Sequence, residues 1–389
     1  MGERLFMQDL IQRIKAGEDS ITEFKNEAFH NESLAKEIVA FSNMKGGHIW
    51  IGIDDDGIIS GIKDPKIEER VINICRNLVE PSVLPEILSH YFESDKKVLE
   101  VIVSRGDFKP YKVKGQNRIY IRVGSVSIEP SIPELVRLLQ SGGQYHFEIS
   151  SLPGTEISDF DQLRFREYCE KYRNTEFEES KINTLLQNFQ LINKDSFLTV
   201  AGMLFFGNQI EHRLPQAGIS MLYFDGNDKT GNILDQKEIT SSIPECIESA
   251  LKFVQNNSKV KGLFSQDDFR RQDIHEYDSY IIRELIANAF CHRDWSIFGQ
   301  RIRLFLFSDR IELFSPGGLP NTLTLQNAFS GVSYYRNPTI TQICKDYGIV
   351  EKAGRGLEKI LKRCKELNIA IPNFLCEPEL VKVTLLKNR

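Results

Sequence analysis

At Gly46–Gly47 the apolar period of the chain changes, and that change limits what the surrounding residues can fold into. Upstream, "NESLAKEIVAFSNMKGG" (31–47) places Leu34, Ile38 and Phe41 at helical spacing. Asn31 or Ser33 suits the helix start, and Gly46 or Gly47 suits its stop. Downstream, "HIWIGIDDDGIISGI" (48–62) alternates, so Ile49, Ile51 and Ile53 share one face of a strand. "DDDG" then signals a turn and predicts a hairpin. Further strands are expected at "VLEVIVSRG" (98–106) and "NRIYIRVGSVS" (117–127), and a helix at "SIPELVRLLQSG" (131–142). Residues 1–147 therefore read as one α/β unit.

A break falls near "SSLPGTEIS" (150–158), and residues 159–207 read as mostly helical. Beyond about 215 the pattern predicts a strand at "GISMLYFDG" and helices over 240–257 and 277–292. "RIRLFLFSDRIELFSPGG" (301–318) alternates on both sides of "SDR", which predicts a second hairpin. Amphipathic helices at "NPTITQICKDYGIV" and "GLEKILKRCKELN" and a strand at "ELVKVTLLK" (379–387) follow. A chain of 389 residues can bury two or three cores of this kind.

Composition narrows the function classes. The formal net charge is −5, so the chain is no polycation, and contact with nucleic acid would need a local basic face. The seven cysteines are scattered, odd in number and without a C-x-x-C pair. That argues against a disulfide framework or a zinc knuckle and suits a reducing cytoplasm. The N-terminal "MGERLFMQDLIQRIKAGEDS" has charges throughout and no apolar signal-peptide core. No apolar run approaches the roughly 20 residues that a membrane helix needs; neither a repeat nor a low-complexity tract is visible.

Three stretches carry candidate chemistry. "EDSITEFK" (18–25) holds Glu18 and Glu23, five residues apart. That spacing is about 140° on a helix and opposite faces on a strand, so the two acids converge only if the chain turns between them. Asp54, Asp55 and Asp56 precede Gly57, where aspartates serve either a local turn or an acid site. "DDDG" lacks the alternate spacing and downstream Glu of an EF-hand. Between 105 and 122, Arg105, Lys109, Lys112, Lys114, Arg118 and Arg122 face only Asp107, with Phe108, Tyr111 and Tyr120 interleaved. On a single strand Arg118, Tyr120 and Arg122 would share a face. This reads either as a surface that holds phosphates and stacks bases or as a solvated hairpin around a buried tyrosine. Finally, "RELIANAFCHRDW" (283–295) puts Glu284 and Asn288 on one helix face. "SPGGLP" (315–320) follows a strand, and "KAGRGLEKI" (352–360) opens a helix with Gly354 and Gly356. Alone, each has an ordinary structural reading; a lone G-x-G is weak.

The ordered set "ITEFK", "AFSNMKGGHIWIGIDDDG" and "KPYKVKGQNRIYIRVGS" resembles the Alba-like domain of the Schlafen family over roughly residues 5–145. The resemblance implies a three-acid cleavage site formed by Glu18, Glu23 and either Asp54 or Asp55. Such a site would hold Mg²⁺ or Mn²⁺, with Lys25 near the phosphate, and would act on structured RNA such as tRNA. Residues of about 200–389 resemble the GHKL ATP-binding fold in a divergent form. That resemblance implies Glu284 as the base for an attacking water and Asn288 as the Mg²⁺ ligand. Gly317 and Gly318 would lie close to adenine, and Gly354 and Gly356 would present amides to the phosphates of ATP. Ser315 stands where the GHKL pattern has an aspartate, and Cys291, His292, Arg293 and Asp294 displace the acid expected after Asn288.

The expected architecture is α/β (α+β): a Schlafen/Alba-like domain over 1–149, a helical or winged-helix-like connector over 150–210, and a GHKL-like sandwich over 211–389. The expected function is a nucleic-acid-binding, metal-dependent endoribonuclease under nucleotide control, suited to stress or phage defence. The alternative is a non-enzymatic DNA-binding regulator. RNA or DNA and a nucleotide are the expected partners, with a homo-oligomer in the cytoplasm and no membrane.

Overall fold

A computed structural model of the chain describes residues 13–92, 96–264, 271–319, 325–329, 334–351, 355–377 and 379–388. The chain forms two compact units, divided after Tyr145.

In the first unit, β1 (Thr22–Lys25), α1 (Asn31–Asn43), β2 (Gly46–Ile51), α2 (Ile67–Asn77), β3 (Val79–Glu80), β4 (Glu86–Phe92) and β5 (Lys96–Ser104) follow in order. Four of the strands make a sheet in the order β1-β2-β5-β4, with β1 parallel to β2 and the other neighbours antiparallel. The alternation read from the sequence is what builds it. Ile49 and Ile51 pack beneath Leu34, Ile38 and Phe41 of α1, while Trp50 joins Phe24 and Val98 on the opposite face. Ile53 departs from the expected face and packs with Trp50. Gly52 causes the switch: its φ of 99° bends the strand, and the amides of Gly52 and Ile53 both donate to the Lys25 carbonyl.

The expected single strand at 117–127 is divided. β6 (Lys112–Val113) pairs with β7 (Arg118–Ile119), whereas β8 (Ile121–Val123) pairs with β9 (Val126–Ile128). The division falls at Tyr120, whose carbonyl accepts from Asn43 Nδ2 at 2.9 Å. The same buried amide also clamps both backbone groups of Tyr111, at 2.7 and 2.8 Å. Helix α3 (Ile132–Ser141) starts at a Ser131–Glu134 capping box.

The second unit contains α4 (Gln162–Glu167), α5 (Ile182–Asn188), α6 (Val200–Phe206), β10 (Ile219–Phe224), β11 (Ile233–Ile239) and α7 (Ile243–Asn256). After these come β12 (Val260–Phe264), β13 (Arg271–His275), α8 (Ser279–His292), β14 (Ile302–Leu306) and β15 (Arg310–Pro316). The last described elements are α9 (Pro338–Asp346), α10 (Gly356–Leu367), β16 (Asn373–Cys376) and β17 (Leu380–Leu386). Its main sheet runs β11-β10-β14-β15-β17-β16, with β10 parallel to β14 and the remaining pairs antiparallel. The expected connector shares this unit's core: Phe165, Phe205 and Phe206 belong to the cluster that holds Ile281, Leu304 and Leu313. The opposite sheet face carries a small separate cluster of Phe224, Phe305, Phe307 and Phe314. No described helix is long and apolar enough to cross a membrane.

Candidate functional site

Asp278 caps α8 by accepting from the amides of Tyr280 and Ile281 at 3.0 and 3.1 Å. Along α8, Glu284, Leu285, Asn288, Ala289 and His292 recur at helical spacing and line one side of a cavity of about 1120 Å³, mouth included. Leu313, Ser315, Gly317 and Gly318 of β15 and the following turn form another wall, and Gly356 and Leu357 at the start of α10 a third. The size and the largely apolar lining suit a small organic ligand.

Glu284 is the most constrained polar group in this wall. It is 1% exposed, and its Oε2 has no hydrogen-bond partner. Burial first, and then the charge of Glu351, push its carboxyl up to about 7, against the pull of Arg283, Asn288 and Lys359. Its Oε1 lies where a side chain on Gly356 would be: a Cβ there would come within 1.8 Å. Glycine at 356 is thus set by the acid beneath the helix start. Gly317 is equally constrained. Its φ is 100°, and a Cβ would fall 2.5 Å from Asp294 Cβ and 2.6 Å from Arg336 Nη1. Arg336 ties the turn to α8, donating to the carbonyls of His292 at 2.9 Å and Gly318 at 2.8 Å.

Ser315 is buried and its hydroxyl donates to the Ala289 carbonyl at 2.9 Å. Its lone pairs are therefore the hydrogen-bonding capacity left for the cavity. Thr341 Oγ1 and Tyr334 OH are likewise buried without a partner, on residues that line the same space. Such orphaned polar atoms in an apolar cavity are what a ligand or ordered water would satisfy. His292 is pushed down to about 4 by burial and by Arg336, so it is neutral near pH 7. Among the described lining residues there is no lysine or arginine. A polyphosphate would rely on backbone amides at the α10 start and on a cation, for which Asn288 offers a hard oxygen donor in this wall. Gly354 lies outside the described residues.

In the first unit Glu18 and Glu23 come within electrostatic reach of each other. Glu18 is raised by burial, against the bond it accepts from the Phe24 amide at 2.9 Å, and the charge of Glu23 raises it further. Glu23 is 4% exposed and ion-paired with Lys25 and, at 2.6 Å, with Arg122. Arg122 also meets Glu37 at 2.9 Å and donates to the carbonyls of Asp19 and Thr22, and Ser127 donates to Glu37. This buried Glu23–Arg122–Glu37 group was not foreseen. One signal was available: Glu37 falls on the Leu34–Ile38–Phe41 stripe, where the pattern wants an apolar residue. Asp54 lies in a turn closed by Gly57 N to its carbonyl at 2.8 Å, with Ser60 Oγ 3.3 Å from its carboxylate; Asp55 is exposed. Among the described residues no three His, Cys, Asp or Glu side chains are grouped as a metal site.

The basic stretch also divides. Lys114 and Arg118 are exposed, Arg118 with Glu129 3.6 Å away, and Phe108 is 68% exposed. Lys25, Arg105 and Lys112 are half-buried, Lys112 facing Glu80 at 3.5 Å. Lys109 is buried, donates to the Met44 carbonyl at 3.1 Å, and is pushed down to about 7 by burial and then Arg105. Tyr120 and Arg122 are buried too, so they do not share an outer face with Arg118. A second unforeseen group lies on the Trp50 face of the sheet, where His48 and His90 flank the buried Glu100 at 2.7 and 2.8 Å.

Comparison with known proteins agrees with this division. The family profile described as "Schlafen, AlbA_2" matches residues 18–131. That described as "Putative ATP-dependent DNA helicase recG C-terminal" matches residues 299–385. The DIP2311 protein of Corynebacterium diphtheriae has a similar fold at 20% identity and a TM-score of 0.50, over 100% of this chain and 82% of that one. The N-terminal domain of a RecG-related protein from Nitrosomonas europaea is 25% identical over 32% of this chain and 92% of its own. Its TM-score of 0.26 is too low to bear on the fold. No curated protein matches the chain. The chain joins a Schlafen-type AlbA_2 domain to an ATPase-like domain of the RecG C-terminal type.

Proposed function

We propose that this chain is a nucleic-acid-binding protein whose second unit binds a nucleotide, ATP with Mg²⁺. The convergence of Glu284, Asn288, Gly317, Gly318 and Gly356 from separate segments on one apolar cavity carries this reading. In it, Asn288 holds the cation, which when bound screens the phosphate charge. The close turn at Gly317–Gly318 admits the flat base, and the α10 start offers amides to the phosphates. Glu284, with a carboxyl near neutrality and a free Oε2, accepts the proton of an attacking water. Calorimetric titration of ATP with Mg²⁺ should give binding that Asn288→Ala weakens about tenfold or more. Equal affinity in both proteins would remove the cavity from the account.

For the first unit the finer reading is an endoribonuclease acting on structured RNA such as tRNA. The mutual approach of Glu18 and Glu23 beside two cations favours it. Incubation of tRNA with the protein and Mn²⁺ or Mg²⁺ should yield discrete fragments, lost in Glu23→Ala while RNA binding persists. No cleavage by the wild type with either metal sinks the nuclease reading. Tight, sequence-dependent binding of duplex DNA in its place would mark a regulator.

A further inference from the structure

Among the described residues the helices of the second unit pack against one face of its six-stranded sheet, and along β10, β14, β15 and β17 residues alternate between that face and the other. Ile219, Met221, Leu304, Leu313 and Val383 point into the main core, so their strand neighbours point the other way. One outward row crosses the sheet in register: Ser220 pairs with Arg303, Arg303 with Phe314, and Phe314 with Lys382. Three cations converge on the Phe314 ring: Lys229 at 4.9 Å, Arg303 at 5.1 Å and Lys382 at 5.6 Å from its centroid. Lys229 and Arg303 also lie 5.0 and 5.9 Å from the Phe305 ring.

The acids nearby do not balance these charges. Glu312 is buried and already meets both Lys382 and Arg310 at 2.9 Å, while Arg310 also takes Asp309 at 2.9 Å. Arg303 and Lys229 are exposed, and no carboxylate pairs with either among the described residues. Cation–ring contacts hold such charges in place but do not neutralise them. Two uncompensated, exposed cations lying over aromatic rings that are themselves only 7% and 6% exposed complement a chain of phosphates, and the rings can meet a flat base once the cations swing aside.

We infer that this face of the second unit, centred on Arg303, Lys229 and Phe314, binds the backbone of single-stranded nucleic acid. The inference deepens the nucleic-acid reading above by adding a surface in the other unit. Arg303 and Lys229 take phosphates, and displacement of their side chains from the rings opens Phe305 and Phe314 to a base.

The test is the salt dependence of binding of a fluorescent single-stranded oligoribonucleotide to the full chain. Each phosphate contact contributes about 0.7 to the slope of log K against log salt for single strands. The Arg303→Ser/Lys229→Ser double variant should lower that slope by roughly 1.4 and weaken binding about tenfold or more at low salt. The charge-matched Lys237→Ser/Lys252→Ser variant removes two exposed cations outside this face and should leave the slope unchanged. Unchanged affinity and slope in Arg303→Ser/Lys229→Ser would overturn the inference and leave the nucleic-acid reading standing. An equal fall in both double variants would also overturn it, because the effect would then be bulk charge. No binding by the wild type at any salt would overturn both.

Discussion

Glu284 concentrates the chemistry of the cavity, and its protonation makes a stability prediction. Its carboxyl is raised from an ordinary 4.5 to about 7 in the folded protein. Between those values the folded state holds a proton that the unfolded chain releases. Stability contributed by this group is therefore present below about pH 4.5, falls as pH rises toward 7, and is level above. Glu284→Gln removes that loss. The variant should melt higher than the wild type at pH 8, by an amount on the order of 2 kcal/mol, and the gap should close toward pH 4.5. Glu148, also raised to about 7 by burial at the start of α9, adds a slope of the same sign to both proteins and cancels in the difference. A gap between the two melting curves that does not change with pH would show that Glu284 is not the titrating group.

At the scale of elements, the sequence was readable wherever one face of an element is apolar and the other wet. The β14–β15 hairpin, α8, α9, α10 and β17 fall close to where alternation and helical spacing put them. β11 escaped because six of its seven residues are exposed, which leaves no period to detect. β4 has half-buried and exposed residues and no buried one, for the same reason. The basic strand at 117–127 misled because charge does not report burial. Arg122 and Lys109 carry the same formal charge as Arg118, yet they are held inside by Glu23, Glu37 and the Met44 carbonyl. Those partners are separated from them by 65 to 99 residues, a distance over which spacing says nothing. In the cavity, Glu284 and Asn288 were visible as a helix pair. The partnerless Thr341 and the Ser315–Ala289 bond were not, since they depend on how α8, α9 and β15 pack.

At the scale of the whole molecule, two units place different chemistries in one chain. The first presents Lys114, Arg118 and Phe108 to solvent and buries its acids around Arg122. The second encloses an apolar cavity on one side of its sheet and on the other carries exposed cations over a buried cluster of aromatic rings. On the reading proposed above, the cavity bounded by α8, β15 and the start of α10 receives ATP. Hydrogen–deuterium exchange of the full chain, with and without saturating ATP and Mg²⁺, tests it most directly. Slowed exchange is expected to concentrate in residues 284–292, 313–318 and 356–360. Binding that leaves those segments unchanged, or protection confined to the first unit, would contradict it.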